Sequence, residues 1–408
     1  MLAALAVGQS DIRGLLEGED VLATAEALRG LGAQIEPVAE GHWRVHGVGV
    51  GGLLQPRAAL DLGNSGTSAR LLMGLIATHP LQAVLTGDAS LSRRPMARVM
   101  EPLARMGAEF LASPGQRLPL TVRGAVRCVP IRYELPVASA QVKSAILLAA
   151  LNTLGTTEIV ERWPTRDHSE RMLAAAGAQI AVETDGPTRN IRITGEADLR
   201  PMSIDVPGDP SSAAFFLIAA SIVPGSAVTL CNVGMNPTRS GMVTVLRAMG
   251  ADIVELDPRE VGGEPVADLL VRHAPLSGVV VDPALAPTMI DEFPALFVAA
   301  AFASGRTTTR GLEELRVKES DRLATMARAL RTIGAAVEEQ ADGLTITGSG
   351  GDPLPGSDEP IVTHFDHRIA MSMAIAGLHS RAGTAIDDMT PVATSFPDFV
   401  TVLEGLRA

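Results

Sequence analysis

Residues 28–35 read LRGLGAQI, and this pattern of Leu, three residues, Gly-Ala, one residue and an apolar residue recurs along the chain. Glycine directly after an apolar helix is a common helix stop, because it adopts the left-handed backbone conformation without a Cβ clash. The pattern predicts a helix that ends at the glycine, followed by a strand. Recurrence at intervals of roughly 70–85 residues indicates an internal repeat. The other copies are residues 103–110 (LARMGAEF), 173–180 (LAAAGAQI), 246–253 (LRAMGADI) and 330–337 (LRTIGAAV), and a sixth begins at Leu403 (LEGLRA).

A second helix of each repeat is rich in Ala, Leu and Met and apolar on nearly all sides, which predicts that it is buried. Six units make two domains of three, and the Pro/Gly-bearing segment 206–210 (VPGDP) is the predicted boundary. The sequence thus predicts an α/β (α+β) chain with domains at residues 1–205 and 206–408. The predicted buried helices are residues 68–77, 141–151, 212–222, 294–302 and 369–378, and the predicted strands include residues 83–86, 120–122, 191–193, 227–230, 279–281 and 344–347.

The first repeat differs from the others at its start. Its buried helix would be residues 1–6, whereas every other buried helix follows a polar loop such as GNSGT at residues 63–67. Internal symmetry therefore leads us to expect that roughly 30 residues of the first repeat precede Met1, and that the first domain is N-terminally incomplete.

The composition limits the class of protein. The chain has 408 residues, 46% of them hydrophobic and 20% charged, with a net charge of −12. This acidity argues against nucleic acid as a partner, because binding the phosphate backbone needs a broad basic surface. The apolar runs are too short to cross a membrane and the start lacks a secretory signal, so we predict a cytoplasmic protein that does not enter membranes. Cys128 and Cys231 fit neither a disulfide framework nor a metal site, and we predict that both are buried.

Four segments are too polar for ordinary loops: residues 62–70 (LGNSGTSAR), 87–96 (GDASLSRRPM), 315–323 (LRVKESDRL) and 363–371 (THFDHRIAM). In the first segment, the N–H groups and dipole of a helix start, together with Arg70, favour the binding of an anion. In the third, Lys318 and Arg322 are four residues apart and would share a helix face. Each segment also has a purely structural interpretation: a capped helix start, a solvated arginine pair, a surface helix of mixed charge, or a polar cap.

Taken together, the polar segments and the buried helices have the order of a known family. The chain resembles 5-enolpyruvylshikimate-3-phosphate (EPSP) synthases from residue 1 to about residue 406, and most of all the class represented by glyphosate-tolerant bacterial enzymes. The strings that carry the resemblance are GNSGTSARLL, GDASLSRRPM, ASAQVKSAILLAALN, TRDH, PGDPSSAAFFLIAAS, IDEFPAL, GLEELRVKESDRL, DHRIAMS and ATSFPDF.

The resemblance implies an enolpyruvyl transferase fold, with two domains of three βαββαβ units each and shikimate 3-phosphate bound on the side of the first domain. It also implies a cytoplasmic, monomeric transferase of aromatic amino acid biosynthesis, acting in the shikimate pathway toward chorismate. Its small-molecule substrates would be shikimate 3-phosphate and phosphoenolpyruvate. The reaction is an addition followed by an elimination, and it needs no metal and no organic cofactor.

Three residues would carry the proton transfers of this reaction if the resemblance holds. Asp291 resembles the residue that accepts the 5-hydroxyl proton of shikimate 3-phosphate. Glu319 resembles the carboxyl group that protonates and then deprotonates C3 of the enolpyruvyl group, and Lys318 would contact the substrates beside it. Such roles require a carboxyl group next to cations that hold anionic substrates.

The same resemblance implies a set of substrate-binding residues. Ser139, Ala140 and Gln141 would bind shikimate 3-phosphate together with Arg166. Three arginines would bind phosphoenolpyruvate, and Gly66 would line its pocket. The full predicted set is Asn64, Gly66, Thr67, Arg70, Arg94, Ser139, Ala140, Gln141, Arg166, Arg322 and Arg368.

Two features depart from the family pattern. A Pro-Gly-(Asp/Ser)-Lys-Ser loop with a following Arg would be expected just before Met1, and without it we expect an inactive or nearly inactive chain. Thr394 stands where many relatives of the other class have Lys, whereas Gly66 keeps the small residue associated with inhibitor sensitivity. We therefore expect an N-terminally extended form to be inhibited by glyphosate and Gly66→Ala to weaken that inhibition.

Two alternatives to an active EPSP synthase stay open at this point. UDP-N-acetylglucosamine enolpyruvyl transferase has the same architecture and donor, but it commonly depends on a loop cysteine, whereas Cys128 lies in a strand-like stretch. The other alternative is a catalytically inactive, truncated remnant that does little beyond folding.

Overall fold

The computed structural model describes residues 1–406. The chain divides into two compact units, each with its own hydrophobic core: residues Met1–Val206 together with Val261–Glu264, and residues Pro207–Glu260 together with the chain from Pro265 onward. The sequence placed the domain boundary after residue 205, and the structure also assigns the short segment Val261–Glu264 to the first unit. The assignment of shikimate 3-phosphate to the first domain stays a prediction.

The first unit contains three four-stranded sheets, in the orders β12-β1-β3-β2, β4-β5-β7-β6 and β10-β11-β9-β8. Each sheet has one parallel pair and otherwise antiparallel pairs. The elements are helices α1 (Leu2–Leu5), α2 (Glu19–Gly30), α3 (Gly66–Ala77), α4 (Ala97–Arg105), α5 (Ala140–Ala150) and α6 (His168–Ala175), and strands β1 (Val7–Arg13), β2 (Gln34–Ala39), β3 (His42–Val48), β4 (Leu60–Asp61), β5 (Gln82–Thr86), β6 (Glu109–Ser113), β7 (Arg117–Arg123), β8 (Arg132–Glu134), β9 (Thr156–Glu161), β10 (Gln179–Asp185), β11 (Thr188–Thr194) and β12 (Ser203–Asp205).

The second unit contains two three-stranded sheets, β13-β15-β14 and β16-β18-β17, and the parallel pair β19-β20. Its elements are helices α7 (Pro210–Ile222), α8 (Gly241–Ala248), α9 (Phe293–Phe302), α10 (Arg322–Thr332), α11 (His367–Gly377) and α12 (Phe399–Gly405), and strands β13 (Ala227–Gly234), β14 (Asp252–Val261), β15 (Glu264–Arg272), β16 (Arg306–Thr308), β17 (Ala336–Gln340), β18 (Gly343–Thr347), β19 (Ser357–Ile361) and β20 (Thr384–Ile386).

The predicted buried helices are present in both units. Helices α3 and α5 pack against each other in the first unit, and α7, α9 and α11 pack against one another in the second. All ten residues of α9 are buried, because the helix is apolar on every side. The five repeat glycines, Gly32, Gly107, Gly177, Gly250 and Gly334, all have φ between +94° and +113°, which confirms them as left-handed helix stops.

The α/β fold class is confirmed, but the order of elements within a repeat was wrong. The structure has βαβαββ, as in β4-α3-β5-α4-β6-β7, and not βαββαβ. The reason is local: the buried helix leads into one strand, whereas the helix that ends at the repeat glycine leads into a β-hairpin. The hairpin places two strands in succession before the next repeat begins.

Three other predictions are corrected by the structure. Residues 279–281 form no strand, since Val280 makes only an isolated bridge to Thr308. Residues 318–321 are not helical: a 3₁₀ helix ends at Val317 and α10 begins at Arg322. Cys231 is exposed because it occupies an outward-facing position of β13, and Cys128 is only half-buried in the loop between β7 and β8. Leu403 lies in α12, and the last two residues of the sixth repeat copy lie outside the described residues.

Candidate active site

The start of helix α3 gathers polar groups in the first unit. The Ser65 hydroxyl accepts a hydrogen bond from the Ser68 backbone N–H at 3.2 Å and so caps the helix. Asn64 lies just before this cap and links two partners: its Nδ2 donates to Asp88 at 2.8 Å, and its Oδ1 accepts from Arg94 at 2.5 Å. The Gly-rich loop is therefore held in place by side chains, while the helix that follows directs its N–H groups toward the loop.

Two arginines converge on Gly66 at this helix start. A Cβ atom at Gly66 would lie 3.0 Å from NH1 of Arg70 and 3.0 Å from NH1 of Arg94. Burial, together with the neighbouring charges of Arg94 and Arg98, lowers the pKa of the Arg70 guanidinium below its ordinary value. Cations crowded at a helix N-terminus are favourable when an anion neutralises them, so this arrangement has the chemistry of a phosphate or carboxylate site.

Gln141 connects this helix start to helix α5. Arg70 NH1 donates to Gln141 Oε1 at 2.9 Å, and Gln141 Nε2 donates to the Thr67 hydroxyl at 2.8 Å. Ser139 caps α5 by accepting from the Val142 N–H at 3.4 Å, and Ala140 is the first residue of the helix. The structure thus brings Asn64, Gly66, Thr67, Arg70, Arg94 and Gln141 together, with Ser139 and Ala140 adjacent to Gln141 in the chain.

Arg166 lies in a loop that is connected to helix α5. It lies half-buried in the loop between β9 and α6, two residues before α6 begins. The neighbouring Thr165 hydroxyl donates to Glu161 at 2.5 Å, and Lys143 of α5 also contacts Glu161. The contacts therefore join the loop of Arg166 to α5 through buried side chains.

Arg322 is the centre of the candidate residues in the second unit. Its side chain is only 1% exposed, and it contacts three carboxylates. It donates to Asp366 Oδ2 from Nε at 2.8 Å, to Asp291 Oδ1 at 3.2 Å and to Glu319 Oε2 at 2.5 Å. Burial alone would lower the pKa of Arg322, but the hydrogen bond and charge of Asp366 outweigh it and raise the pKa, so the guanidinium is firmly charged.

Asp366 is the fully buried partner of this arginine. Burial opposes its ionisation, but the hydrogen bond and charge of Arg322 hold its pKa below the usual range. Asp366 also caps helix α11 by accepting from the Arg368 N–H at 3.0 Å. The two residues before it, His364 and Phe365, have φ of +54° and +60°, a backbone conformation that is uncommon for side chains of this size. Such strain is typical of functional segments, because the surroundings must fix it.

Lys318 and Arg368 extend the cluster around Asp291. Lys318 Nζ lies 3.5 Å from Asp291 Oδ1, and it also pairs with Glu314. Arg368 NH1 donates to the Asp291 backbone carbonyl at 3.2 Å. Glu319 is 52% exposed, so its carboxylate can reach solvent or a ligand while it is bound to Arg322. The structure therefore brings all five candidates of this unit together: Asp291, Lys318, Glu319, Arg322 and Arg368.

A second buried group lies beside Asp291, and sequence reasoning did not identify it. Glu292 is 2% exposed, accepts a hydrogen bond from the Ser211 hydroxyl and lies 3.7 Å from Arg239. Arg239 NH2 also donates to Asp209 at 2.9 Å. The signal in the sequence was a second carboxylate directly before an apolar helix, in IDEFPAL. Asp366 was likewise missed, although it stands in the string DHRIAMS.

The described residues offer no site for a bound metal. Within residues 1–406, no group of three or more His, Cys, Asp or Glu side chains is arranged to hold an ion. None of the helices in that part of the chain combines the length and apolar composition that crossing a membrane requires.

A comparison with protein families decides the relationship of this chain. Residues 1–403 match the family described as EPSP synthase (3-phosphoshikimate 1-carboxyvinyltransferase). The chain belongs to the EPSP synthase family. The sequence-based predictions of this family and of an enzyme are therefore confirmed.

Named members of the EPSP synthase family are similar along the whole chain. The 3-phosphoshikimate 1-carboxyvinyltransferase of Sphingopyxis alaskensis is 66% identical, covering 100% of this chain and 92% of that protein. The enzyme of the same name from Novosphingobium aromaticivorans is 65% identical over 99% of this chain and 92% of its own length.

Solved structures agree with the EPSP synthase assignment. An EPSP synthase structure from Acinetobacter baumannii matches with a TM-score of 0.94 and 45% identity, covering 100% of this chain and 92% of the other. The enolpyruvyl transferase NikO from Streptomyces tendae matches with a TM-score of 0.74 at 20% identity, which shows a shared fold only. The enolpyruvyl transferase fold that the sequence predicted is thus confirmed.

Proposed function

We propose that this chain transfers the enolpyruvyl group of phosphoenolpyruvate to the 5-hydroxyl of shikimate 3-phosphate, giving EPSP and phosphate. The observation that carries the proposal is the convergence of Arg70 and Arg94 on Gly66 at a helix N-terminus. Two guanidinium groups so close to each other need an anion, and both substrates are anions.

In the first unit, the groups at the starts of α3 and α5 bind substrate. Arg94 binds phosphoenolpyruvate, and Asn64 orients Arg94 through the 2.5 Å hydrogen bond. Ser139, Ala140 and Gln141 bind shikimate 3-phosphate with Arg166. Arg70 is the connection between the two groups, because it contacts both the Gly66 carbonyl and the Gln141 amide oxygen.

In the second unit, the carboxylates around Arg322 move protons. Asp291 accepts the proton of the 5-hydroxyl as its oxygen attacks C2 of the enolpyruvate. Glu319 gives a proton to C3 in the addition and takes one back as phosphate leaves in the elimination. Lys318, 3.5 Å from Asp291, stabilises the negative charge that develops on the substrates. Arg322 and Arg368 bind phosphoenolpyruvate and keep Asp291 and Glu319 in fixed positions.

Neither alternative from the sequence is favoured. An inactive remnant is not favoured because similarity to named enzymes extends over the entire chain. UDP-N-acetylglucosamine enolpyruvyl transferase is not favoured because Cys128 is a poor nucleophile: burial raises the pKa of its thiol, and Sγ donates to the Thr78 carbonyl at 3.6 Å.

Several finer expectations remain proposals. They are that the enzyme is of the glyphosate-tolerant class yet keeps glyphosate sensitivity through Gly66, that it is monomeric, and that it works in the cytoplasm.

The test is an assay of phosphate release from phosphoenolpyruvate and shikimate 3-phosphate, made on this chain and on a form extended upstream of Met1. Phosphate release that depends on both substrates, with EPSP as product, supports the proposal. Lys318→Met should abolish turnover in whichever form is active. Phosphate release with UDP-N-acetylglucosamine in place of shikimate 3-phosphate would overturn it, as would no turnover in either form.

A further inference from the structure

A buried ion network lies behind the first-unit candidates and takes no direct part in the proposed chemistry. Lys143, Glu161 and Glu170 are 0%, 0% and 4% exposed. Lys143 Nζ is 3.1 Å from Glu161 and 2.7 Å from Glu170. Removing three ionisable groups from water costs free energy, and ion pairing often offsets this cost only in part. We therefore look for a role of this network other than stabilising the fold.

The network joins the two segments that carry the predicted shikimate 3-phosphate ligands. Lys143 lies one turn into α5, and its backbone N–H donates to the Ser139 carbonyl at 3.1 Å. Glu161 is the last residue of β9 and accepts a hydrogen bond from the Thr165 hydroxyl at 2.5 Å. Residues 162–167, the loop that contains Arg166, are therefore fastened at Thr165 to a carboxylate that α5 holds.

The other end of the loop is fastened to helix α6. Asp167 pairs with Arg171 at 3.0 Å, and Glu170 of α6 pairs with Lys143. A hydroxyl pair, Ser144 with Ser169 at 2.6 Å, adds a second link between α5 and α6. Arg166 is thus flanked by Thr165 and Asp167, and both flanking residues are anchored.

The network pairs one lysine with two glutamates, and the two glutamates differ in their contacts. Glu161 receives contacts from both Lys143 and the Thr165 hydroxyl, whereas Glu170 lies 2.7 Å from Lys143. Burial raises the pKa of Glu170 despite the charge of Lys143. Glu161 is therefore the member of the network that contacts the loop directly, through the Thr165 hydroxyl.

We propose that Lys143, Glu161 and Glu170 form a positioning network that holds the loop of residues 162–167 against the start of α5, so that Arg166 and residues 139–141 meet one phosphorylated substrate together. The assignment of that substrate as shikimate 3-phosphate rests on the proposed function. Because the phosphoenolpyruvate ligands of this unit lie at the start of α3, the network favours binding of one substrate over the other.

The test uses Thr165, because its hydroxyl is the point where the loop meets the network. Thr165→Val removes the hydroxyl at nearly constant volume, and Thr165→Ser is the matched control that keeps it. The chain has two tryptophans, so Trp43→Phe leaves Trp163, 58% exposed within the loop, as the only fluorophore of its kind. In that background, collisional quenching of Trp163 reports loop order, and calorimetric titration with shikimate 3-phosphate reports binding.

We expect Thr165→Val to weaken binding of shikimate 3-phosphate about tenfold and to increase quenching of Trp163, since a hydrogen bond to a charged group is lost. The KM for phosphoenolpyruvate and the melting temperature should change little, and Thr165→Ser should behave like the parent. Lys143→Met should show the same binding defect, and adding Thr165→Val to it should add little, because both changes break one network.

Each outcome decides the inference. Unchanged quenching and affinity in Thr165→Val would overturn it, as would equal defects in the Val and Ser variants or additive effects in the double variant. If neither this chain nor its upstream-extended form binds shikimate 3-phosphate, the proposed function is overturned, while the quenching of Trp163 still decides whether the network orders the loop.

Discussion

At the scale of single residues, Arg322 illustrates how the second unit tolerates a buried cation. Its guanidinium binds Asp291, Glu319 and Asp366, and the side chain is almost completely removed from solvent. Removing one member of such a group leaves the others buried without a counter-charge, and that penalty is larger than the net stabilisation by the intact group.

We therefore expect Arg322→Met to destabilise the chain by about 3–5 kcal/mol, measured from the urea unfolding midpoint by circular dichroism. Arg306→Met is the matched control: Arg306 pairs with Glu338 at 3.1 Å, but both side chains are at least 60% exposed, and its loss should cost less than about 1 kcal/mol. Similar losses of unfolding free energy in the two variants would contradict the stabilisation that we assign to the buried ion pairs of Arg322.

Gly66 gives a second prediction at this scale. The Cβ atom of Gly66→Ala would push both Arg70 and Arg94, so we expect KM for phosphoenolpyruvate to rise and glyphosate inhibition to weaken. The free energy of unfolding should not fall, because alanine is more favourable than glycine in a helix by about 1 kcal/mol. Gly18→Ala is the control, since that helix start has open space around the glycine. Equal inhibition of Gly66→Ala and the parent by glyphosate would contradict the prediction.

At the scale of elements, four buried helices begin at a polar side chain that accepts a hydrogen bond from the first turn: α3, α5, α7 and α11. Asp209 accepts hydrogen bonds from the Ser211 and Ser212 N–H groups at 3.3 Å each and so caps α7, whose interior is apolar throughout. Unsatisfied N–H groups at a buried helix start are costly, which is why a polar loop precedes these helices.

Asp209→Ala should lower the unfolding free energy by about 1 kcal/mol, because the first turn of α7 loses its cap and Arg239 loses a partner. Asp209→Asn keeps the capping oxygen, and its unfolding free energy should fall clearly less than that of Asp209→Ala. Thermal unfolding of the two variants makes the comparison, and indistinguishable melting temperatures would show that the cap does not matter.

The sequence could predict elements whose determinants are local. The repeat glycines ended their helices as expected, because the left-handed conformation is a property of glycine itself. Residues 318–321 could not be predicted, since the spacing of Lys318 and Arg322 suits a helix, yet these residues turn toward Asp291 and Asp366, which are distant in sequence. The candidate site followed the same division: motif residues could be named as candidates from the sequence, whereas the partners of Glu292, Arg239 and Asp366 are distant in sequence and appear only in the fold.

At the scale of the whole molecule, a chain with net charge −12 has candidate arginines clustered in each unit: Arg70 with Arg94 in the first, and Arg322 with Arg368 around Asp291 in the second. Local clusters of this kind override the field of the molecule at short range. Acidic groups are also buried beside these regions. Because burial shifts their pKa, they make the unfolding free energy depend on pH.

Glu292 supplies a test of that dependence. Burial, which outweighs the Ser211 hydrogen bond and the charge of Arg239, raises its pKa above the ordinary 4.5. A carboxyl group with a raised folded-state pKa stabilises the fold fully below pH 4.5, and this contribution is lost as the pH rises through the folded-state pKa. Glu292→Gln cannot ionise, so its urea midpoint should fall less than that of the parent between about pH 5 and pH 8. The exposed Glu404→Gln should follow the parent, and parallel curves for all three proteins would contradict the prediction.

The short segment Val261–Glu264 has a consequence for anyone who wishes to divide this molecule. It is the turn between β14 and β15 of the second unit, yet it packs with the first: Glu264 contacts His168 at 2.8 Å, and a Cβ atom at Gly263 would lie 2.6 Å from the Arg171 carbonyl. A cut after Val206 therefore does not divide the chain into its two complete units. A split version would have to return this tetrapeptide to the first half, and recombination between homologues should succeed more often when the hairpin and α6 come from the same parent.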